Sequence, residues 1–336
     1  MYPSTVFTPA NISEMIKLTA RPVPKGELLS MFMPNFKTWP KASIPVNLAT
    51  REIGAVPLTN FGGAAYPIDG FQQDIHVFAP RSIRLLGSIP GSLVNELKDL
   101  EPGFLNTERG EKIVDMRDSA QETREAMLAL GLRGTYAYPV AQQLGVGTDT
   151  TTIGDVQSPT VTTKLNTATP TFAVLQNTWK IFQDKIKSAH GGAFGQSAAN
   201  LIMLVSDDVW AVVIAALGER YTGGAMATLQ EAMINGDYVG FGMHIRNISG
   251  SYKTYSAGGT SSAPLIAAKT AIMVDKSAKH FGAYCSIEDL EGGNQPTPLF
   301  VKEWYEKDPS VLQILFEQKP FIFPDVRGIA LQTVLT

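Results

Sequence analysis

The most regular hydrophobic pattern in the chain is the segment EKIVDMRDSAQETREAMLALGLRGTYAY at residues 111–138. Apolar or small side chains recur there at alternating intervals of three and four residues, which places them on one face of an α-helix. The pattern predicts a long helix over residues 111–131, about 30 Å in length. The positions on this face are Ile113, Met116, Ala120, Thr123, Met127 and Leu130.

The apolar face of this helix is narrow, because it takes up only about two positions in seven. Fewer than three heptads are present, so a coiled coil is excluded. Pro102 and Gly103 precede the predicted helix, and Gly131 and Gly134 close it. We therefore expect a helix that lies along a thin sheet and turns much of its polar face towards solvent.

Further helices are predicted from the same periodicity and from capping residues. Residues 172–189 place Leu175, Trp179, Phe182 and Ile186 in helical register. The other predicted helices are a short one at 12–19 with a capping box from Asn11 to Glu14, one that starts at Ser206 or Asp207 and runs to about 217, and one at 225–234.

Apolar runs and alternating stretches predict β-strands in the rest of the chain. A Thr-rich stretch at 148–165 predicts strands or a hairpin, and a Gly/Ser-rich stretch at 249–263 predicts an exposed loop. The mixed order of helices and strands predicts an α+β fold. The predicted strands are 200–205, 238–248, 271–274, 281–287, 299–306, 311–318 and 329–335.

The N-terminal segments differ from the rest of the chain. Residues 1–40 are typical of an extended arm, because their closely spaced prolines disfavour regular ladders. Residues 41–80 contain nineteen apolar or aromatic residues, only five charged ones, four Gly and four Pro, with a predicted turn at 61–64. A lone hairpin cannot bury that much apolar surface. Its strands therefore either belong to a larger sheet or lie on a neighbouring subunit.

Composition and charge narrow the function. Charged residues make up 18% of the 336-residue chain, below the usual quarter, which indicates that much of the surface is covered. The net charge is −3 and no basic run is present, so no obvious patch binds nucleic acid tightly. Cys285 is the only cysteine, which excludes an internal disulfide and fits a reducing cytoplasm. Residues 1–10 have no signal-peptide pattern, and Asp207 and Asp208 interrupt the most apolar stretch, 201–217.

Candidate chemistry is sparse. None of the four histidines has a second histidine or a carboxylate at metal-ligand spacing, and His190-Gly191-Gly192 lacks an accompanying nucleophile elbow. Asp207 and Asp208 are typical of a helix N-terminus. The acidic group 288–291 is typical of a solvated turn, with a cation site or an inter-subunit ion pair as the alternative. Cys285 is predicted to be a buried small residue, and no catalytic, cofactor-binding or metal-binding residue is predicted.

Several stretches together resemble a known family. They are Met116-Arg117-Asp118 in a helix that ends in the run Gly131–Tyr136, Ile202–Val205 before a short helix with Trp210, Tyr284–Asp289, and the ending Gln318–Asp325. In order and spacing they are similar to the lambda-type major capsid proteins of tailed phages, the E-protein family. The resemblance covers most of the chain from about residue 28 onward. It does not extend to the first arm or to 249–263.

The resemblance implies the capsid fold that tailed phages share with encapsulins. On that basis we expect an α+β tailed-phage major capsid fold. Its parts would be an N-terminal arm at 1–40, an extended β loop at 41–95, a peripheral domain at 96–170 and 299–323 with a spine helix at 111–131, and an axial domain at 171–298 and 324–336.

The resemblance also implies a function without catalysis or cofactor. The chain would assemble through pentamers and hexamers into the icosahedral head shell around phage double-stranded DNA, which it would contact without sequence specificity. Its partners would be other copies of itself, with scaffold, portal and decoration proteins as further candidates and no membrane. It would be found in the virion after assembly in the host bacterial cytoplasm. The candidate subunit-interface residues are Phe32, Ile53, Val56, Leu58, Phe61, Tyr66, Ile68 and Phe71.

Three alternatives remain open from the sequence alone. An encapsulin-like compartment would use the same fold to enclose a cargo enzyme. A tail tube subunit would form stacked rings instead of a closed shell. An α+β enzyme would bring Glu288, Asp289 and one histidine together in space.

Overall fold

The computed structural model describes residues 5–6, 26–47, 75–100, 102–142, 145–189, 200–220, 226–256, 259–290, 293–307 and 310–336. The described helices are α1 (Glu27–Phe32), α2 (Gly91–Leu100), α3 (Pro102–Gly131), α4 (Phe172–Ala189), α5 (Asp207–Gly218) and α6 (Met226–Asn235). None of these helices combines the length and the apolar run that crossing a bilayer requires.

The described strands are short to medium in length and occur along the whole chain. They are β1 (Thr5–Val6), β2 (Lys37–Trp39), β3 (Ile44–Asn47), β4 (Ile75–Phe78), β5 (Ile83–Pro90), β6 (Thr135–Gln142), β7 (Gly145–Thr152), β8 (Leu201–Val205), β9 (Asp237–Gly240), β10 (Met243–Asn247), β11 (Ser251–Ser256), β12 (Gly259–Pro264), β13 (Thr270–Asp275), β14 (Phe281–Asp289), β15 (Gly293–Pro296), β16 (Phe300–Lys307), β17 (Ser310–Gln318), β18 (Pro320–Phe323) and β19 (Ile329–Thr333).

The chain divides into two compact units. The first unit contains Met1–Val46, His76–Glu125 and Phe281–Ile322, and the second contains Asn47–Ile75, Ala126–His280 and Phe323–Thr336. The terms peripheral and axial describe where a domain lies in an assembled shell. The two compact units are defined within a single chain, so they do not test the predicted domain ranges, which stay predictions.

The first unit is built around a sheet that has the order β1-β16-β17-β5 among the described strands, with antiparallel neighbours. Alternation along β17 places Leu312, Ile314 and Phe316 on one face. These side chains form one buried cluster with Ile113 and Met116 of α3. The predicted packing of the narrow helix face against a thin sheet is therefore confirmed for the first half of α3.

Helix α3 is longer than the sequence pattern predicts. It begins at Pro102 and not at 111, because a proline in the first helical turn lacks only an amide hydrogen that has no helical partner there. Thr123 and Met127, predicted on the apolar face, are only half-buried. A strict three-four repeat drifts around a straight helix by about 20° per heptad, so the predicted and buried faces separate near the C-terminal end. The buried residues there include Ala126, Leu128 and Ala129.

The second unit is built around a mixed sheet with the order β19-β13-β8-β10-β9. Strand β8 lies in its middle, parallel to β10 and antiparallel to β13. All residues of β8 are buried, which accounts for its uninterrupted apolar sequence LIMLV. Helices α4, α5 and α6 pack into the same core. The helix predicted at 172–189 is confirmed, and its register residues Leu175, Trp179, Phe182 and Ile186 are all buried.

Two predictions for the second unit are wrong. Residues 238–248 are not one strand, because β9 and β10 form a hairpin whose turn residues Phe241 and Gly242 have φ angles of 50° and 75°. Both angles are those of a type I′ turn, where phenylalanine is uncommon. The stretch 249–263 is not a loop, since β11 and β12 pair along it. Tyr252 is buried, so this mostly polar hairpin is stabilised by an apolar contact that its composition does not indicate.

The other predicted strands are confirmed with small shifts. The prediction of strands or a hairpin at 148–165 is wrong beyond Thr152, because only its first residues lie in β7, whose partner β6 precedes the stretch. Among the remaining described residues of the stretch only Gln157 and Leu165 form isolated bridges, since Gly154 and Pro159 interrupt the β-prone run. Strands β8, β13, β14, β16, β17 and β19 lie where apolar runs predicted them. Their shared signal is a run of β-branched and aromatic residues between turn residues.

The N-terminal arm contains three described elements that its prolines conceal, β1, α1 and β2. Helix α1 buries Leu28, Leu29 and Phe32, and β2 pairs in parallel with β14. Pro34 and Pro40 lie outside β2, so no ladder hydrogen bond is lost to a proline. The helix predicted at 12–19 lies outside the described residues.

Candidate subunit interface

The histidines that the structure describes are held in structural contacts. His244 Nε2 lies 2.9 Å from Asp237 Oδ1, across the β9–β10 hairpin. His280 Nε2 lies 3.0 Å from the backbone oxygen of Asp275, and its Nδ1 accepts a hydrogen bond of 3.1 Å from the Asp325 amide. Burial lowers the pKa of His280, which favours the neutral ring, and both ring nitrogens have hydrogen-bond partners. His190 and the side chain of His76 lie outside the described part of the chain.

Cys285 and Asp208 also have structural environments. Cys285 is fully buried, and burial raises the pKa of its thiol to about 11, the opposite of what a nucleophile needs. Asp208 accepts hydrogen bonds from the amides of Val209 at 3.0 Å and Lys269 at 2.7 Å. The predicted position of the acidic pair at a helix N-terminus is thereby confirmed, since α5 begins at Asp207.

The acidic group at 288–291 is divided by its surroundings. Glu288 is exposed, whereas Asp289 Oδ2 lies 3.2 Å from Lys302 Nζ in an ion pair within the chain. Among the described residues, no three His, Cys, Asp or Glu side chains lie close enough together to hold a metal ion.

The structure describes one of the predicted interface residues, Phe32. It lies in α1 and is 7% exposed within a single chain, so little of its ring remains for another copy to cover. The other seven, Ile53, Val56, Leu58, Phe61, Tyr66, Ile68 and Phe71, lie outside the described residues. We call residues 48–74 the excursion. The strands on either side of it, β3 and β4, are described and pair as a two-stranded sheet. We call this pair of strands the stem.

The segment before the stem is held by a carboxylate from α3. Helix α1 starts at Gly26, which has no side chain to cap the helix. Instead, Glu125 accepts hydrogen bonds from the amides of Leu28 at 2.5 Å and Leu29 at 3.0 Å. These amides have no partner inside the helix, and a carboxylate is favoured at a helix N-terminus. A residue almost one hundred positions away therefore completes the start of α1.

The neighbouring residue on α3 holds the same segment by its guanidinium group. Arg124 lies 5.5 Å from the ring centre of Phe36 and 5.6 Å from that of Tyr284, and it donates a hydrogen bond to the Tyr284 hydroxyl. The two rings are themselves 5.0 Å apart. Cation–π contacts of this kind strengthen when water is excluded. We call Arg124, Glu125, Phe36 and Tyr284 the anchor.

The charge of Glu125 predicts an unusual pH dependence. Burial raises the pKa of its carboxyl, and Glu27 adds to this, although backbone amides oppose it. Between the usual pKa of glutamate, about 4.3, and the raised value, the folded chain binds a proton that the unfolded chain does not. The free energy of unfolding must therefore fall as the pH rises through that window.

We expect urea unfolding to show this fall in the wild-type chain relative to Glu125→Gln, which cannot titrate. The unfolding free energy of the wild type minus that of Glu125→Gln should fall as the pH rises above the usual glutamate pKa of about 4.3. A difference that grows with pH would contradict the assignment.

Exposed apolar side chains mark surfaces that the sequence pattern missed. In the second unit, Ile234 is 85% exposed and Val239 69%, and Met233 and Phe241 are also exposed, all near the edge strand β9. In the first unit, exposed apolar residues are Val77, Leu86 and Leu290. Val239 follows the buried Tyr238 and so stands at a position that a half-buried strand normally gives to a polar residue. That local departure from alternation was the available signal.

Comparison with protein families gives a match over nearly the whole chain. Residues 14–331 match the model of phage major capsid protein E. A comparison with curated protein sequences finds no match.

Comparison with solved structures gives similar folds at low sequence identity. A prophage protein of E. coli CFT073, provisionally described as its capsid protein, is 14% identical, covers 98% of this chain and 99% of its own, and has a TM-score of 0.55. The capsid of cyanophage A-1(L) is 11% identical over 95% of both chains, with a TM-score of 0.53. The capsid of an empty GTA particle is 12% identical over 95% of this chain and 93% of its own, with a TM-score of 0.51. The predicted tailed-phage capsid fold is confirmed by these likenesses.

Proposed function

The chain belongs to the phage major capsid protein E family, and we propose that it assembles through pentamers and hexamers into the icosahedral head shell that encloses phage double-stranded DNA. The family match over residues 14–331 carries this conclusion, because it spans both compact units. A shell-forming capsid role follows from the family itself. The ring sizes, the icosahedral symmetry and the DNA are the parts that we propose.

The surfaces of the chain fit a role in tiling. Further copies would cover the weakly charged segment 41–80 and the exposed apolar residues of both units. Burial of apolar area yields roughly 25 cal/mol per Å², while ordering the partners opposes it. Contacts that are individually weak sum to a stable shell when each subunit meets several neighbours, and they let misplaced subunits dissociate.

We assign the predicted parts of the chain to positions in that shell. Residues 1–40 would be the arm, 41–95 the extended β loop, 96–170 and 299–323 the peripheral domain, and 171–298 with 324–336 the axial domain. The excursion residues Ile53 to Phe71 would meet neighbouring copies. Scaffold, portal and decoration proteins are further proposed partners, and DNA would be enclosed without sequence-specific contacts, as the mild net charge of −3 favours.

Electron microscopy of the purified full chain tests the proposal. We expect closed shells, or rings of five and six copies that close when concentrated. A chain that stays monomeric at high concentration would contradict the proposal. Stacked rings forming tubes would instead support the tail tube alternative.

The substitution Asp289→Ala separates a shell protein from an enzyme that uses the acidic group. Its loss removes the ion pair with Lys302, whose two side chains are mostly buried, so the subunit loses stability but keeps its exposed surfaces. We therefore expect shells in normal yield by electron microscopy. The matched variant Asp289→Asn keeps the side-chain shape and should behave alike. If both variants fold normally but lose their shells, Asp289 would be a contact between copies.

A further inference from the structure

We infer that Arg124 and Glu125 are positioning residues for assembly, which hold the segment 26–47 and, through it, the stem in the orientation from which a shell closes. This inference rests on the proposed function. It assigns to the anchor a role in the geometry of the subunit as well as in its stability.

The first step is the dependence of α1 on Glu125. Gly26 accepts a hydrogen bond from the Ser30 amide at 3.1 Å, so one of the first amides of α1 is satisfied locally. Those of Leu28 and Leu29 have Glu125 as their partner. A six-residue helix has little stability of its own. Its position is thus tied to the carboxylate that caps it.

The second step is the tight space at both ends of the anchor. A Cβ placed on Gly26 would collide with Glu125 Oε2. A Cβ placed on Gly282 would lie 3.0 Å from two carbons of the Phe36 ring. Neither glycine has a positive φ, so an added Cβ would act on these neighbouring side chains and not on the backbone conformation. The anchor can therefore be disturbed from either end without altering its charged residues.

The third step links the anchor to the stem. Immediately after Phe36, strand β2 pairs in parallel with Ala283–Cys285 of β14. The Ser286 amide then donates a hydrogen bond of 3.2 Å to the Lys41 carbonyl. The Trp39 indole donates one of 2.9 Å to the Ser43 carbonyl. Ile44 at the start of the stem is 3% exposed. A continuous series of contacts therefore runs from α3 to the stem.

The fourth step is the nature of the contacts. A buried carboxylate and a buried guanidinium are costly to desolvate, and apolar residues of similar volume usually stabilise a fold as well or better. Directional hydrogen bonds and ring stacking supply what apolar packing does not, which is one fixed orientation. Burial lowers the pKa of Arg124, which shows the same desolvation cost.

The test compares variants by shell closure and by stability together. Gly26→Ala, Gly282→Ala and Glu125→Ala should stay soluble and folded but lose most closed shells, whereas Glu125→Gln should retain part of them. The matched glycine control is Gly218→Ala, where the nearest atom to the added Cβ is 4.0 Å away. The stability control is Ile245→Val in the core of the second unit, which should close shells even when its thermal midpoint falls equally.

Hydrogen exchange on the unassembled chain tests the inference without requiring shell formation. In Gly26→Ala and Glu125→Ala, amides of 37–47 should exchange faster together with those of 28–29, while 201–205 stay protected. Faster exchange confined to 28–29 would overturn the inference, because Glu125 would then only cap α1. The inference would also be overturned if all anchor variants formed normal shells, or if Ile245→Val lost as many closed shells as they do. A wild-type chain without shells would instead contradict the proposed function.

Discussion

A chain lacking residues 50–75 is expected to fold and to remain soluble but to form no closed shell. Residues 44–47 and 76–78 keep most of the stem, and the sheet and helix core of the first unit lies elsewhere. The deletion removes the seven interface candidates from Ile53 to Phe71. A shell needs every subunit to make its contacts, so a loss repeated in each copy is decisive.

The measurement is electron microscopy together with analytical ultracentrifugation of the deletion chain. A second variant replaces 50–75 by a Gly/Ser linker of equal length, which restores reach but not apolar surface. Both variants should give free subunits or capsomers only. Normal particles from the linker variant would show that length alone matters, and normal particles from the deletion would remove the role of the excursion.

Replacing Phe316 by alanine is expected to lower the free energy of unfolding by about 3–5 kcal/mol. Phe316 is fully buried between the sheet of the first unit and α3, in the cluster that contains Ile113 and Met116. Truncation leaves a cavity that the surrounding strands can fill only in part. A loss of this size takes up a large share of a typical domain's stability, so little of the variant should accumulate as soluble subunit.

The control for Phe316→Ala lies in the same sheet. Leu86 is 61% exposed on the edge strand β5, next to β17, and Leu86→Ala should change the unfolding free energy by no more than about 0.5 kcal/mol. Urea unfolding of the unassembled subunits gives both values. Equal losses in the two variants would mean that the buried cluster is not the core of this unit.

Local signals in the sequence predicted the elements whose pattern is strong within one window. Helix α4 was predicted to its ends, because its buried residues recur with helical spacing and a glycine pair follows at 191–192. The strand β8 was predicted because five apolar residues precede Ser206, which begins a helix with two aspartates. In these cases the residues that determine the element are adjacent in the chain.

Long-range contacts explain what the sequence did not reveal. The start of α1 depends on Glu125, almost one hundred residues away, so no window around Gly26 contains its cap. The turn at Phe241 lacks the usual Asn-Gly signal, and phenylalanine at φ 50° is tolerated because its ring packs at 5.0 Å from that of Phe172. Tertiary context overrides local preference at both places.

The predicted interface residues stay a prediction, because seven of the eight lie outside the described residues. Low charge in a Gly- and Pro-rich segment pointed to the excursion, whereas around β9 the sequence offered only the break in alternation at Val239. Their exposure depends on which strand lies at the edge of the sheet, and strand order is not written in the spacing of residues. Phe32 shows the converse, since an apolar side chain in the arm is covered by its own chain.

Cys285 is the only cysteine of the chain and is buried, so its reaction with a thiol reagent can report local opening of the structure. With a pKa of about 11, only about one molecule in ten thousand carries a thiolate at neutral pH, and no part of the sulfur is open to an alkylating reagent while the strand is in place. Labelling must therefore wait until the surrounding structure opens. The rate of that labelling therefore reports how often the structure around β14 opens, and mass spectrometry can measure it without any dye or tag.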